Sequence, residues 1–202
     1  MAGIKTSAQF GRPREFDPDK ALDRALQVFW QKGYEGTSLT DLTEAMGINR
    51  PSLYAAYGNK EELFRKALDN YCTQAMSFQA EALARPTARE AVESLLRGAV
   101  YELTNPEHPA GCLTVRGALA GSEESESVRR ELIARRIASQ EAIKDRLVQA
   151  QTEGDLPAGS DPETLARYIS TVLHGMSIQA ASGATSDELM SIVDMALNAW
   201  PT

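Results

Sequence analysis

Three side chains near residue 50 are of types that bind nucleic acid, and their spacing presents them together. Arg50, Ser52 and Tyr54 fall early in a predicted short helix, on the sides that its apolar positions Leu53 and Tyr57 leave free. Such side chains hydrogen-bond to base edges and phosphates when a helix enters the major groove of DNA. In an ordinary helical hairpin the same side chains would face only solvent. The pattern indicates a DNA-binding helix, with the solvated hairpin as the alternative.

A second helix and a tight turn are predicted to hold that helix in place. Ser38 is suited to cap the second helix, with Asp41 completing a capping box. Gly47 is predicted to end it in the left-handed conformation that glycine adopts without strain. Asn49 is suited to cap the DNA-binding helix, and Pro51 lies in its first turn, where no backbone N–H is needed. The apolar stripe of the second helix consists of Leu39, Leu42, Ala45 and Met46.

This segment resembles the DNA-binding region of the tetracycline-repressor (TetR) family of bacterial transcription regulators. The residues that carry the resemblance are 33–38, 41–42, 45–48 and 52–63. Tyr57 stands where the family usually has phenylalanine, and residues 49–51 fill a slot that varies with operator preference. The resemblance implies an all-α protein of about nine helices, with a three-helix helix-turn-helix head followed by a larger helical ligand-binding and dimerisation domain. It also implies double-stranded operator DNA, a second copy of the chain and a small-molecule inducer as partners.

We divide the chain into an N-terminal arm (1–16), a DNA-binding head (17–60) and a body (61–202). Arginines on the arm are expected to enter the minor groove next to the head, and a solubilising tail is the alternative. Thr37 and Ser38 are expected to donate to a phosphate at the start of a helix, and Lys60 to position the DNA backbone. The predicted DNA-contacting residues are Arg12, Arg14, Thr37, Ser38, Thr40, Asn49, Arg50, Pro51, Ser52, Tyr54 and Lys60.

The distribution of charge fits a specific DNA-binding protein better than its total does. The 202 residues carry a net charge of −7, of which residues 1–60 contribute +1 and residues 61–202 contribute −8. An acidic body repels non-specific DNA contact while the head stays attractive. The absence of an apolar run of membrane length or a signal sequence predicts a soluble, cytoplasmic protein. Cys72 and Cys112 are too far apart for a metal site and are predicted to be free thiols.

The body is expected to hold a ligand pocket and a dimer interface. Helices are predicted to begin at Asn59, Thr87, Cys112, Ser125, Asp161 and Thr185, the Cys112 helix extending to about residue 120. The predicted pocket residues are Tyr101, Cys112, Val115, Tyr168, Val172, His174 and Met176, with packing in the core as the alternative for each. Surplus apolar surface on the last two helices predicts a four-helix interface between two copies. The interface residues predicted there are Leu165, Leu173, Ile192 and Leu197.

Cys112 has two interpretations. Residues 111–113 resemble a Gly-Cys-Leu segment of some family members, a few of which respond to electrophiles, and a helix N-terminus would lower the pKa of the thiol. A small buried packing residue is the alternative.

The sequence contains no motif for a cofactor, a metal or catalysis. Ser170 and His174 lie one helical turn apart, but no carboxylate stands at a spacing that completes a triad. The arginine pairs at 129–130 and 135–136 are interpreted as a solvated helix face. We therefore predict a DNA-binding regulator, a repressor released from its operator by an inducer. The alternative is a helical protein-interaction module that does not bind DNA.

Overall fold

The computed structural model describes residues 16–116 and 125–201, and the regular structure in these two ranges is entirely helical. The helices are α1 (Pro18–Gly36), α2 (Leu39–Met46), α3 (Arg50–Tyr57), α4 (Lys60–Leu83), α5 (Ala88–Thr104), α6 (Leu113–Arg116), α7 (Glu126–Glu153), α8 (Pro162–Ala181) and α9 (Ser186–Asn198). The all-α prediction is confirmed. Arg12, Arg14 and the second half of the helix predicted from Cys112 lie outside the described residues. Within the described ranges, none of the helices is long and apolar enough to cross a bilayer.

Polar side chains at the predicted positions start most of the helices. Capping boxes form at Ser38, Asn59, Thr87 and Thr185, each with an acidic residue three positions later. Such caps satisfy backbone N–H groups that the first turn of a helix leaves without partners. They explain why helix starts could be predicted from the sequence alone.

The end of α1 differs from its prediction. We expected this helix to stop before Gly33, but after a break at Gly33 (φ 73°, ψ 170°) one further helical turn continues to Gly36. Thr37 is buried, and its hydroxyl donates to the Gly33 carbonyl at 2.6 Å. The hydroxyl thereby satisfies a carbonyl that the break has released from the helix.

The described part of the chain packs around two apolar cores. The head core combines α1, α2, α3 and the first half of α4 with Leu113 of α6 and Val128 and Leu132 of α7. The body core combines α5, α8 and α9 with the end of α4 and the second half of α7. Because α4 and α7 contribute to both cores, a shift of either helix in the body would also displace its residues in the head core.

Candidate DNA interface

The α2–α3 turn fixes the predicted DNA-binding helix against the head core. Gly47 adopts the left-handed conformation (φ 69°), and the Asn49 side chain caps α3 by accepting from the Ser52 N–H at 2.9 Å. Leu53 and Tyr57 are buried beneath α3, and the Tyr57 hydroxyl donates to the Pro18 carbonyl at 2.7 Å. These contacts hold α3 rigidly, so that its outer face has a defined orientation.

The outer face of α3 presents an arginine and a tyrosine to solvent. Arg50 is exposed, and its Nη2 donates to Thr40 Oγ1 of α2 at 3.1 Å. This bond limits the rotamers of the guanidinium before any ligand arrives, which reduces the entropy lost on binding. Tyr54 lies one turn further on and is half-exposed, while Pro51 is exposed and Ser52 partly buried.

Three residues predicted to contact DNA use their side chains in hydrogen bonds within the head. The Ser38 hydroxyl and the Asn49 amide oxygen are used as helix caps. The prediction that the Thr37 side chain donates to a phosphate is wrong, because Thr37 is buried and its hydroxyl is bonded to Gly33. The sequence could not distinguish these roles, because a helix cap and a phosphate contact favour the same small polar residues.

Lys60 lies at the start of α4 and is partly buried. Its Nζ is 4.4 Å from the centroid of the Tyr34 ring, a cation–π contact. Burial lowers the pKa of Lys60, while the charges of Glu35 and Asp41 oppose that change. The Lys32 hydrogen bond, followed by those of Ser38, holds the pKa of the Asp41 carboxyl far below its usual range.

The predicted pocket residues differ widely in their exposure to solvent. Tyr101 is 66% exposed and Tyr168 is 42% exposed, so their assignment as pocket lining is wrong. Met176 and Val115 are buried, whereas Cys112, Val172 and His174 are partly buried. None of these residues lines a cleft of about 300 Å³ between the end of α1 and α6–α7, which is bordered by residues 32–36, 116, 125, 128 and 129.

A junction between head and body forms around Trp30, which we had predicted only to pack. Its indole Nε1 donates to the Gly111 carbonyl, 81 positions away, at 3.0 Å. The indole stacks on His108 at 4.5 Å and meets Tyr71 edge-on at 4.8 Å. These contacts join α1 and α4 to the α5–α6 loop, and nothing in the sequence spacing indicated them.

The same loop is bound tightly to α8. Gly111 has a positive φ of 87°, and a Cβ on it would lie 2.8 Å from the Ser177 carbonyl oxygen. The Cys112 N–H donates to the Ser177 hydroxyl at 2.8 Å. A hydrogen-bonded route therefore runs from Trp30 in the head to Ser177 on α8. Only glycine permits the close approach at position 111.

The two cysteines have different surroundings. Cys112 Sγ lies 3.1 Å from the hydroxyl oxygens of both Tyr71 and Thr114. Cys72 is buried in the head core, where desolvation raises its pKa to about 11. The Cys72 thiol therefore stays protonated at neutral pH.

The apolar surface of α8 and α9 differs in part from the predicted dimer residues. Ile192 is exposed, whereas Leu165 and Leu173 are partly buried against the body core. Leu197 is only 6% exposed and belongs to that core, so its assignment to an interface is corrected: it has little surface to offer a partner. The exposed large apolar side chains on these helices are Tyr168, Ile178, Ile192 and Met195.

Family models match most of the chain in two segments. Residues 21–67 match the model described as bacterial regulatory proteins, tetR family. Residues 86–190 match the model described as tetracyclin repressor-like, C-terminal domain.

Characterised relatives and solved structures agree with these matches. The HTH-type transcriptional repressor ComR of Escherichia coli K12 is 37% identical over 193 residues, covering 95% of this chain and 92% of ComR. The HTH-type transcriptional repressor BdcR of the same organism is 30% identical over 205 residues, covering 100% of this chain and 98% of BdcR. A cysteine mutant of the TetR family transcriptional regulator CifR, complexed with 26-bp double-strand operator DNA, is 49% identical. It superposes with a TM-score of 0.91 over 94% of this chain and 100% of that one.

Proposed function

Because the chain belongs to the TetR family of bacterial regulatory proteins, we propose that it is a repressor whose α3 reads a specific operator sequence. The chain is a DNA-binding transcriptional regulator. The observation that carries the proposal for α3 is the exposed Arg50 side chain, held across α2 and α3 by Thr40. An arginine held in this way can donate two hydrogen bonds to O6 and N7 of guanine in the major groove. Thr40, Pro51, Ser52 and Tyr54 complete the proposed base-reading face, and Lys60 supplies a backbone contact.

Regulators of this family act as dimers on DNA. We propose that α8 and α9 form the interface of this chain, through the exposed side chains of Tyr168, Ile178, Ile192 and Met195. Two heads joined in this way would present their α3 helices to half-sites about 34–36 Å apart, one turn of duplex. Met195→Glu is expected to yield monomers, because it places a charge at the most exposed apolar position. Sedimentation that finds this variant as dimeric as the wild type would contradict the interface.

Release from the operator is proposed to follow the binding of a small molecule in the body. A ligand can release DNA only by binding the DNA-incompetent conformation better than the competent one. A tenfold loss of DNA affinity requires about 1.4 kcal/mol of such a preference. Helices α4 and α7 are suited to transmit it because they contribute to both cores.

The operator can be identified by selecting bound fragments from a random duplex pool. On the selected site, Arg50→Ala is expected to cost about 1–3 kcal/mol and to relax base preference at one position. Lys60→Ala is expected to weaken binding to all DNA sequences alike. It should also reduce the slope of log binding constant against log salt concentration by about 1. Arg130→Ala, at an exposed arginine on α7, is the control and is expected to leave affinity unchanged.

Two outcomes would contradict this assignment. Unchanged operator affinity in both Arg50→Ala and Lys60→Ala would show that α3 does not carry recognition. Binding that is independent of salt and sequence would favour the protein-interaction module instead, since DNA contacts release counterions.

A further inference from the structure

The buried stripe of α7 is interrupted in its middle by polar residues. Its buried positions recur every three or four residues and are Val128, Leu132, Ile143, Leu147 and Ala150. Continuing that spacing between Leu132 and Ile143 leads to positions 136 and 139, which are Arg136 and Ser139. Leu132 belongs to the head core and Ile143 to the body core. A polar layer therefore separates the two cores along α7.

One of these two polar residues has its hydrogen bonds satisfied and the other does not. Ser139 exchanges two bonds with Gln79 of α4: its carbonyl accepts from the amide at 2.8 Å, and its hydroxyl donates to the amide oxygen at 2.7 Å. Arg136 Nε is buried and has no hydrogen-bond partner among the described residues. A buried N–H without an acceptor is rare in native proteins and calls for an explanation such as an absent ion or ligand.

The neighbouring arginine shows that carboxylates are within reach on this helix. Arg135 donates to Asp69 of α4 and to Glu131 one turn earlier on α7. Within the described part of the chain, no carboxylate forms an ion pair with Arg136. The adjacent arginines thus differ in that only one is neutralised by the protein itself.

A second basic group lies on α8, close enough to Arg136 for their charges to interact. His174 is partly buried, and its pKa is lowered by burial and then by the positive charge of Arg136. Two positive charges at a partly buried site repel each other, so the imidazole stays neutral near neutral pH unless an anion stabilises its protonated form. The protein thus places a charged arginine and a basic histidine at a position where its own cores would favour apolar residues.

We propose that Arg136 and His174 bind the carboxylate of a small organic acid in the polar layer between the two cores, and that such an acid is the inducer. This proposal rests on the proposed function for its second half. A planar carboxylate matches the edge of a guanidinium that includes Nε, and would satisfy the buried donor directly. Leu132 and Ile143 flank the polar layer along α7 and belong to the two apolar cores, so we infer that the acid carries an apolar tail. Because α7 belongs to both cores, an acid bound here acts on the helix that joins body to head.

The first experiment measures binding in the absence of DNA. Wild-type protein is titrated by calorimetry with butyrate, hexanoate, octanoate, benzoate and phenylacetate, and with the primary amide of each. At least one carboxylate is expected to bind and its amide is not. Arg136→Gln is expected to reduce that affinity about tenfold or more, and the matched variant Arg135→Gln to leave it unchanged. Inorganic phosphate is a further probe and is expected to bind more weakly than the carboxylate, since it has no apolar tail.

Several outcomes of this titration would overturn the proposal. These are no binding by any of the acids, equal binding of acid and amide, equal or tighter binding of phosphate, and unchanged affinity in Arg136→Gln. Because no operator is present, each of these outcomes is independent of whether α3 reads DNA. If the acid binds but leaves operator affinity unchanged, the site stands and its role as the inducer site is overturned.

The second experiment needs no ligand. Arg136→Met keeps a long side chain at this position but removes the buried donor and the charge. If Arg136 serves a ligand and not the fold, the unliganded variant is expected to melt at the same temperature as the wild type or above it. A clear drop in melting temperature would show that Arg136 stabilises the fold itself, and would overturn the proposal even if Arg136→Gln failed to fold.

Discussion

The outer face of α3 and the polar layer of the body use polar side chains in opposite ways. The face of α3 is built from one short segment of the chain, and its Arg50 and Tyr54 remain in contact with solvent. The polar layer brings together Gln79, Arg136 and His174 from three helices and encloses them, at least in part. Exposed polar groups lose little hydration on folding, so the residue types at these positions can vary with the DNA sequence that is bound. Enclosed groups must be satisfied by the protein or by a ligand, so each one without a partner is informative.

Breaking the head core should have the largest effect, and it tests whether the α3 face is as self-contained as its sequence suggests. Phe64 of α4 is fully buried and meets Phe29 at 5.0 Å and Tyr34 at 5.2 Å. Phe64→Ala should cost about 3–5 kcal/mol of unfolding free energy, because it leaves a cavity. Denaturant unfolding measures this, and DNA binding should be lost together with stability. The exposed control Tyr101→Ala should stay within about 0.5 kcal/mol of the wild type, and equal losses in the two variants would contradict this account.

Removing the hydrogen bond at the junction should have an intermediate effect. Trp30→Phe keeps an aromatic ring but leaves the Gly111 carbonyl without the indole N–H, which should cost about 1–3 kcal/mol. If the junction couples the two regions, operator affinity should also change at temperatures where the variant is fully folded. Unfolding by denaturant and binding of the selected operator give the two readouts. A loss of stability with unchanged operator affinity would limit the junction to a structural role.

A smaller effect is expected from the pH dependence of the polar layer. The pKa of His174 is lowered in the folded protein, so as pH falls through about 6.5 the unfolded chain takes up this proton first and the native state loses stability. His174→Asn should flatten the decline in unfolding free energy as pH falls below neutral. Parallel denaturant titrations of variant and wild type test this. If the unfolding free energy of the variant declines with pH as steeply as that of the wild type, His174 ionises equally in the folded and unfolded states.

The smallest effect is expected on the surface of the head. The pKa of Asp41 is lowered in the folded state, so its contribution to stability is present above its ordinary pKa of 3.8 and is lost as pH falls through the folded pKa. Asp41→Asn should therefore lower the melting temperature slightly at neutral pH and weaken the acid dependence of stability. Thermal unfolding at about pH 6 and about pH 3 measures both changes. A variant as stable as the wild type at both values would show that the Lys32 and Ser38 contacts of Asp41 contribute nothing.

The sequence alone determined the all-α fold and the starts of most helices. These features depend on interactions over three or four residues, such as the Asn59–Glu62 capping box and the left-handed Gly47, so their pattern is visible in the printed chain. It also identified the α2–α3 segment, because the turn and cap residues Gly47 and Asn49 lie directly before α3 in sequence. The roles of these residues were predicted less well, since Thr37 is buried against Gly33 instead of facing a phosphate.

Only the tertiary structure decided which polar residues of the body are enclosed. The bond from Trp30 to Gly111 joins positions 81 residues apart, and no local periodicity encodes such a pair. Tyr101 and Arg136 illustrate the same limit, since the tyrosine expected in a pocket is exposed and the arginine expected in solvent has a buried Nε. Helical periodicity shows which residues share a face. Whether that face meets solvent or another helix depends on how α4, α7 and α8 pack together, and this is a property of the folded chain.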